Sequence, residues 1–158
     1  MRNDRKTSTL RRVRRVSYLL DNAIPIPGTG YRIGLDPIIG LLPGGGDFVG
    51  TIISSYIVVE AARLGVSRST LVEMVLNILL ETVTGSVPVL GDLVDAAWKA
   101  NVKNVELLEK ELNVSSSPPQ KSDWLFLVLL LAGLAVVLLV AVGISLAIAA
   151  WVITTITS

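Results

Sequence analysis

The chain has thirteen carboxylates and contains no histidine and no cysteine, which narrows the chemistry it could do. That composition excludes disulfides, thiolate zinc sites, Cys or His nucleophile systems and haem held through His. A bound metal would have oxygen ligands, the set that suits Mg, Ca or Mn. No spacing in the sequence specifies a metal or a cofactor.

Several carboxylates belong to an internal repeat. When the chain is shifted by 45 residues, Asp36, Gly40, Pro43, Gly46 and Asp47 fall on Glu81, Gly85, Pro88, Gly91 and Asp92, and Val49 falls on Val94. The shared pattern, acid-x3-Gly-x2-Pro-x2-Gly-Asp, reads as the duplication of one helix–loop–helix unit. Gly85 can take the left-handed conformation that ends a helix, and Pro88 prevents the helix from resuming. Asp47 and Asp92 then stand where an N-cap accepts the free N–H groups of the next helix, and Asp95 adds an acid in that first turn. Glu81 is less easily explained as a cap, since it lies near the negative end of its own helix dipole. Thr70, Glu73, Asn77, Glu81 and Thr84 fall within about 80° of arc on an otherwise apolar helix, a stripe that faces solvent or lines a polar seam between helices. Asn101 interrupts the apolar stripe Val94–Trp98–Val105–Leu108 and is expected to be a buried, register-fixing amide. The candidate polar site is therefore Asp36, Asp47, Asn77, Glu81, Asp92, Asp95 and Asn101. Lys99, four residues after Asp95, has the spacing of a helix ion pair. LPGGGD lacks the Gly-Lys-Ser/Thr of a phosphate loop, and the Gly28, Gly30, Gly34 spacing is wrong for a dinucleotide site.

The elements that would position these residues are helical. Seven of the fourteen basic residues lie in the first fifteen positions, so residues 1–15 read as a basic, disordered N-terminus. Residues 9–20 nevertheless place Leu10, Val13, Val16 and Leu20 near one helical face, with Arg11, Arg12, Arg14 and Arg15 around the rest. Such a helix could meet anionic lipid headgroups or simply flank the core. No nucleic-acid motif or aromatic platform accompanies the charge, so nucleic acid is not an expected partner. Helices are expected over 47–64, over 70–84 with a capping box from Thr70 to Glu73, and over 92–112. Residues 113–123 form a polar linker. From Trp124 to Ile153 there is no charged residue. Thirty residues of helix are about 45 Å long against about 30 Å of hydrocarbon, and Trp124 and Trp151 stand where aromatic belts lie. The expectation is an all-α protein, with a duplicated helix–loop–helix core over 16–112 and a C-terminal transmembrane helix over 124–153. The positive-inside rule puts the N-terminus and core in the cytoplasm and the C-terminus outside.

The composite motif Arg32, Gly34, Asp36, Gly40, Pro43, Gly46, Asp47, then Asn77, Gly85, Pro88, Gly91, Asp92, Asp95, Lys99 and Asn101 resembles the family catalogued as domain of unknown function 4112, over about residues 16–110. The resemblance implies no activity, cofactor or substrate. Three functions remain compatible with the residues. The first is a non-enzymatic, membrane-anchored scaffold, adaptor or envelope factor, with a protein partner or a second copy of itself. The second is a small transporter or channel component in which 48–64 and 70–95 are short or re-entrant segments carrying Glu60, Glu81 and Asp92. The third is a carboxylate and Mg-dependent enzyme acting at the membrane.

Overall fold

A computed structural model describes residues 2–30, 32–35, 46–85, 99–114 and 123–157, a few of them by backbone alone. Its elements are α1 (Arg2–Asn22), a two-residue antiparallel pair β1 (Ile24–Pro25) and β2 (Arg32–Ile33), α2 (Gly46–Leu64), α3 (Arg68–Gly85), α4 (Ala100–Val114) and α5 (Trp124–Thr157). The all-α expectation holds, with one small hairpin in the Gly/Pro-rich segment.

Helix α1 starts at Arg2, where a disordered terminus was expected. Arg and Lys are good helix formers, and Asp4 in the first turn suits the helix dipole. Val13 and Leu20 are buried, and Leu10 and Val16 pack on the core. The apolar face of α1 thus packs inside the protein. At the end of α2, Gly65 takes φ +84°. Its N–H donates to Ala62 C=O (3.0 Å) and the Val66 N–H to Ala61 C=O (3.3 Å), the paired bonds of a Schellman motif. Helix α3 then begins at Arg68, and its N-cap is Ser67, whose Oγ accepts the Thr70 N–H at 3.4 Å. The Thr70–Glu73 box is therefore not the cap; the cap lies one turn earlier, and Thr70 already sits inside the helix.

Helices α1 to α4 form an up-down-up-down bundle around Ile57, Val58, Met74, Ile78 and Leu108. The three-residue turn between α2 and α3 makes them an antiparallel hairpin. Gly46 and Gly85, from which the two repeated loops extend, therefore lie at the same end of the bundle. Helix α5 lies against α3 and α2. It starts at the other end of the bundle, where Asp123 pairs with Arg68, Arg68 stacks on Phe126 (5.1 Å) and Arg63 on Trp124 (5.9 Å). Asp123 is its N-cap, accepting the Phe126 N–H at 3.0 Å. That N–H, helped by Arg68, holds the Asp123 carboxyl below its ordinary pKa. Leu127, Leu134 and Leu138 are buried against the core. Beyond Leu138 no described side chain of α5 is buried. Among the described residues no helix is long and apolar enough to cross a membrane. Helix α5 itself continues to Thr157.

The hairpin folds back over the C-terminus of α1. Its turn, Ile26 to Thr29, has Pro27 and then Gly28 at φ +79°, the positions and angle of a type II turn. Leu35 N–H donates to Leu19 C=O (3.0 Å) and Arg32 Nε to Asn22 C=O (2.9 Å), which satisfies carbonyls at the end of α1. Gly34 is pressed so closely on the helix that a Cβ there would coincide with the Leu20 carbonyl. Gly34→Ala is accordingly expected to displace the hairpin and cost roughly 1–3 kcal/mol, the scale of overpacking and lost backbone bonds. Thermal unfolding of the purified full chain measures it, and a melting point equal to wild type would refute the close packing.

Candidate functional site: the capped end of the bundle

Helix α4 has an unusual start. Its N-cap position is Lys99, whose carbonyl accepts the Lys103 N–H at 3.0 Å. A lysine side chain only donates, so it cannot satisfy the free N–H groups behind it. Two other helices supply the acceptors. Asp21 Oδ2, from the end of α1, accepts the Val102 N–H at 2.8 Å, and Glu81 Oε1, from the last turn of α3, accepts the Ala100 N–H at 3.2 Å. Both acids sit at the negative end of their own helix and are directed at the positive end of another. Lys99 Nζ meanwhile donates to Asn22 Oδ1 (2.5 Å) and to Arg32 C=O (2.9 Å), which ties α4 to the hairpin.

Asn101 is completely buried, as its place in an apolar stripe predicts, and its Nδ2 donates to Asp21 Oδ1 at 2.7 Å. Burial pushes the Asp21 carboxyl above its ordinary pKa, against the opposing pull of the Asn101 and Val102 bonds and of the Lys99 charge.

From this end a polar seam runs down between α3 and α4. Glu81 meets Ala100, Asn77 Nδ2 donates to Asn104 Oδ1 at 2.9 Å, and Thr70 Oγ1 donates to Glu111 Oε2 at 3.1 Å. Steps of four and seven residues down α3 are matched by equal steps along α4, the period of antiparallel helices packed in coiled-coil fashion. Asn104, also completely buried, donates from Nδ2 to Met74 C=O at 3.0 Å. The α1–α4 pair has the same seven-residue step, since Asp21–Val102 is followed by Arg14–Glu109 at 2.5 Å.

Three expected site residues are thereby placed: Asn77 and Glu81 in the seam, Asn101 against Asp21. Thr70 belongs to the same seam, while Glu73 is exposed at its edge. It lines an open groove of about 500 Å³ with Leu76, Asn77, Lys103, Glu106, Leu107 and Lys110. Asp47 lies in the first turn of α2, which begins at Gly46, so it is a first-turn acid and not the residue before the helix. Asp36, Asp92 and Asp95 lie outside the described residues, as does any pairing of Asp95 with Lys99. Among the described residues no three acidic side chains converge as metal ligands. Asp21 and Asn104 were missed. The sign that would have found Asp21 is an acid in the last turn of a helix, the same anomaly that marked Glu81.

The fold and this cluster define a small helical bundle stabilised by carboxylates that cap a neighbouring helix. A family model described as Domain of unknown function (DUF4112) matches residues 9–112, and the chain belongs to that family. No curated protein and no solved structure matches it.

Asp21→Asn should lower stability by roughly 1–3 kcal/mol, because one carboxylate oxygen becomes an NH₂ that faces a donor. The pH dependence gives a second readout. The folded Asp21 carboxyl titrates above its unfolded value, so the folded state keeps a proton the unfolded chain has lost. Its contribution is fully present below the unfolded pKa, falls as pH rises through the folded one, and is level above it. Denaturant unfolding of wild type and variant across the acidic range should show that fall in wild type only; parallel curves would contradict it.

Proposed function

We propose that this chain is a non-enzymatic, membrane-anchored helical module, a scaffold or adaptor held at the cytoplasmic face. The observation that carries the reading is the use of the polar residues. Asp21, Asn77, Glu81, Asn101 and Asn104 bond to one another and to backbone groups of neighbouring helices, which fixes the register of those helices. A transporter or an enzyme would need some of these groups turned toward a path or a substrate.

The anchor in this reading is the far part of α5. Exposed charges occur along the length of the bundle, Arg11 and Arg15 on α1 and Glu106 and Lys110 on α4, so the bundle belongs outside the hydrocarbon. Helix α5 leaves the core after Leu138, and residues 139–157 are about 28 Å of helix without a charge, close to the thickness of the hydrocarbon. In this reading the span lies later in α5 than 124–153, and residues 124–138 serve as a fifth helix of the core. The capped end, with Arg32, Tyr18 and exposed Ile24 and Ile26, then faces the headgroups. Arg11 and Arg15 sit farther from the lipid; Arg14 and Arg12 are already turned to Glu109 and Glu60.

Leu146, 65% exposed, is the position for a test. Leu146→Arg places a charge in mid-span at a cost of about 3 kcal/mol. The variant should be released by a high-pH carbonate wash that leaves wild type and Leu146→Ala in the membrane. Wild type in the wash would sink the anchor. For the non-enzymatic reading, folded Asp47→Asn and Asp92→Asn chains should recover the same partners from mild detergent as wild type, and an activity lost in those folded variants would overturn it.

A further inference from the structure

Helices α4 and α5 begin in opposite ways. The start of α4 is completed by Asp21 and Glu81, from two other helices. Helix α5 carries its own cap, Asp123, whose carboxylate accepts the Phe126 N–H. The two also differ in what holds them. Lifting α4 away would strip buried Asn101 and Asn104 of the acceptors their amides donate to, a cost that no leucine contact carries. None of the bonds that set register among α1, α3 and α4 reaches α5. Helix α5 is seated on α2 and α3 by Leu127, Leu131, Leu134 and Leu138, at steps of four, three and four residues.

At the mouth of this seat stand two arginines, one on each side of the α2–α3 turn. Arg63 lies over the Trp124 ring and Arg68 over that of Phe126, and Arg68 also pairs with Asp123. Arg63 is held in place by Glu60 at 2.6 Å, a buried carboxylate that also lies 3.9 Å from Arg12. The side chains of Arg63 and Arg68 are 54% and 61% exposed, so water takes over from the departing rings and carboxylate, and Glu60 keeps its partners. The arginines thus read the first turn of the helix, and the leucines hold the rest of it.

The family match covers residues 9–112, so it includes the seat and not the helix that fills it. We propose that the α2–α3 face of this domain is a helix-binding site, and that residues 123–138 are its ligand, bound in cis and exchangeable. The partner it takes is a helix with an acidic N-cap and aromatic side chains at its first and third positions. Leucines follow from the fourth position, at steps of four, three and four. This goes beyond the scaffold reading and stands whether or not residues 139–157 cross a membrane.

A fluorescent peptide of residues 121–140, added to the full chain in mild detergent, tests it. Leu127→Asp together with Leu134→Asp in the chain empties the seat. The peptide should bind that variant several-fold more tightly than wild type, whose seat is filled. Adding Arg68→Asp to the variant should weaken binding several-fold, and a peptide carrying Asp123→Arg should restore it; non-specific apolar adhesion would ignore both changes. Equal binding to wild type and variant, no binding to the variant, or no rescue by the reversed charge would overturn the proposal. So would a variant that loses the helical circular dichroism of the bundle, since α5 would then be an inseparable part of the core.

Discussion

The structure depends on how helix α4 is allowed to begin. Its N-cap is a lysine, and the acceptors its first N–H groups require come from Asp21 and Glu81, on two helices distant in sequence. A helix N-terminus left without acceptors in a buried site would cost several hydrogen bonds' worth of free energy. The same contact fixes which turn of α1 and which turn of α3 stand beside the start of α4. Register then propagates by sevens and fours through Asn77–Asn104, Thr70–Glu111 and Arg14–Glu109. Aliphatic packing alone tolerates sliding of one helix along another. The buried amides and carboxylates do not, because a one-residue shift would leave each of them without its partner.

Gly46 and Gly85 are neighbouring ends of the α2–α3 hairpin. The hairpin β1–β2 closes the same end from the α1 side, pressed against the helix through Gly34. Arg32, Lys99 and Asn101, scattered in the sequence, meet here by bonding to Asp21 and Asn22 at the end of α1.

Much of this was legible in the residues. Gly65 ends α2 because only a residue tolerant of positive φ serves there. Asn101 in an apolar stripe is a buried amide, and Thr70, Asn77 and Glu81 of the polar stripe of α3 line a seam while Glu73 is exposed. What escaped has a common cause. Asp21, Lys99 and Asn104 act on groups 27 to 81 residues away, and periodicity reads only local geometry. The cap of α3 was misplaced by one turn because Ser67 and Thr70 are equally good caps by composition, and only the backbone shows which N–H is free. Helix α1 begins at Arg2 because Arg and Lys propagate a helix well, a propensity that the charge density of residues 1–15 conceals. For α5, hydropathy found the helix but not its division, since a side chain facing a protein core and one facing lipid have the same composition.

A helix whose first turn is completed by residues from elsewhere in the chain does not nucleate well alone. Closing the gap between Asp21 and Val102 carries the entropy of a loop of about eighty residues, and little of it is repaid before α1 and α3 are in place. The start of α4 is therefore completed by tertiary contacts with α1 and α3 and not by its own sequence.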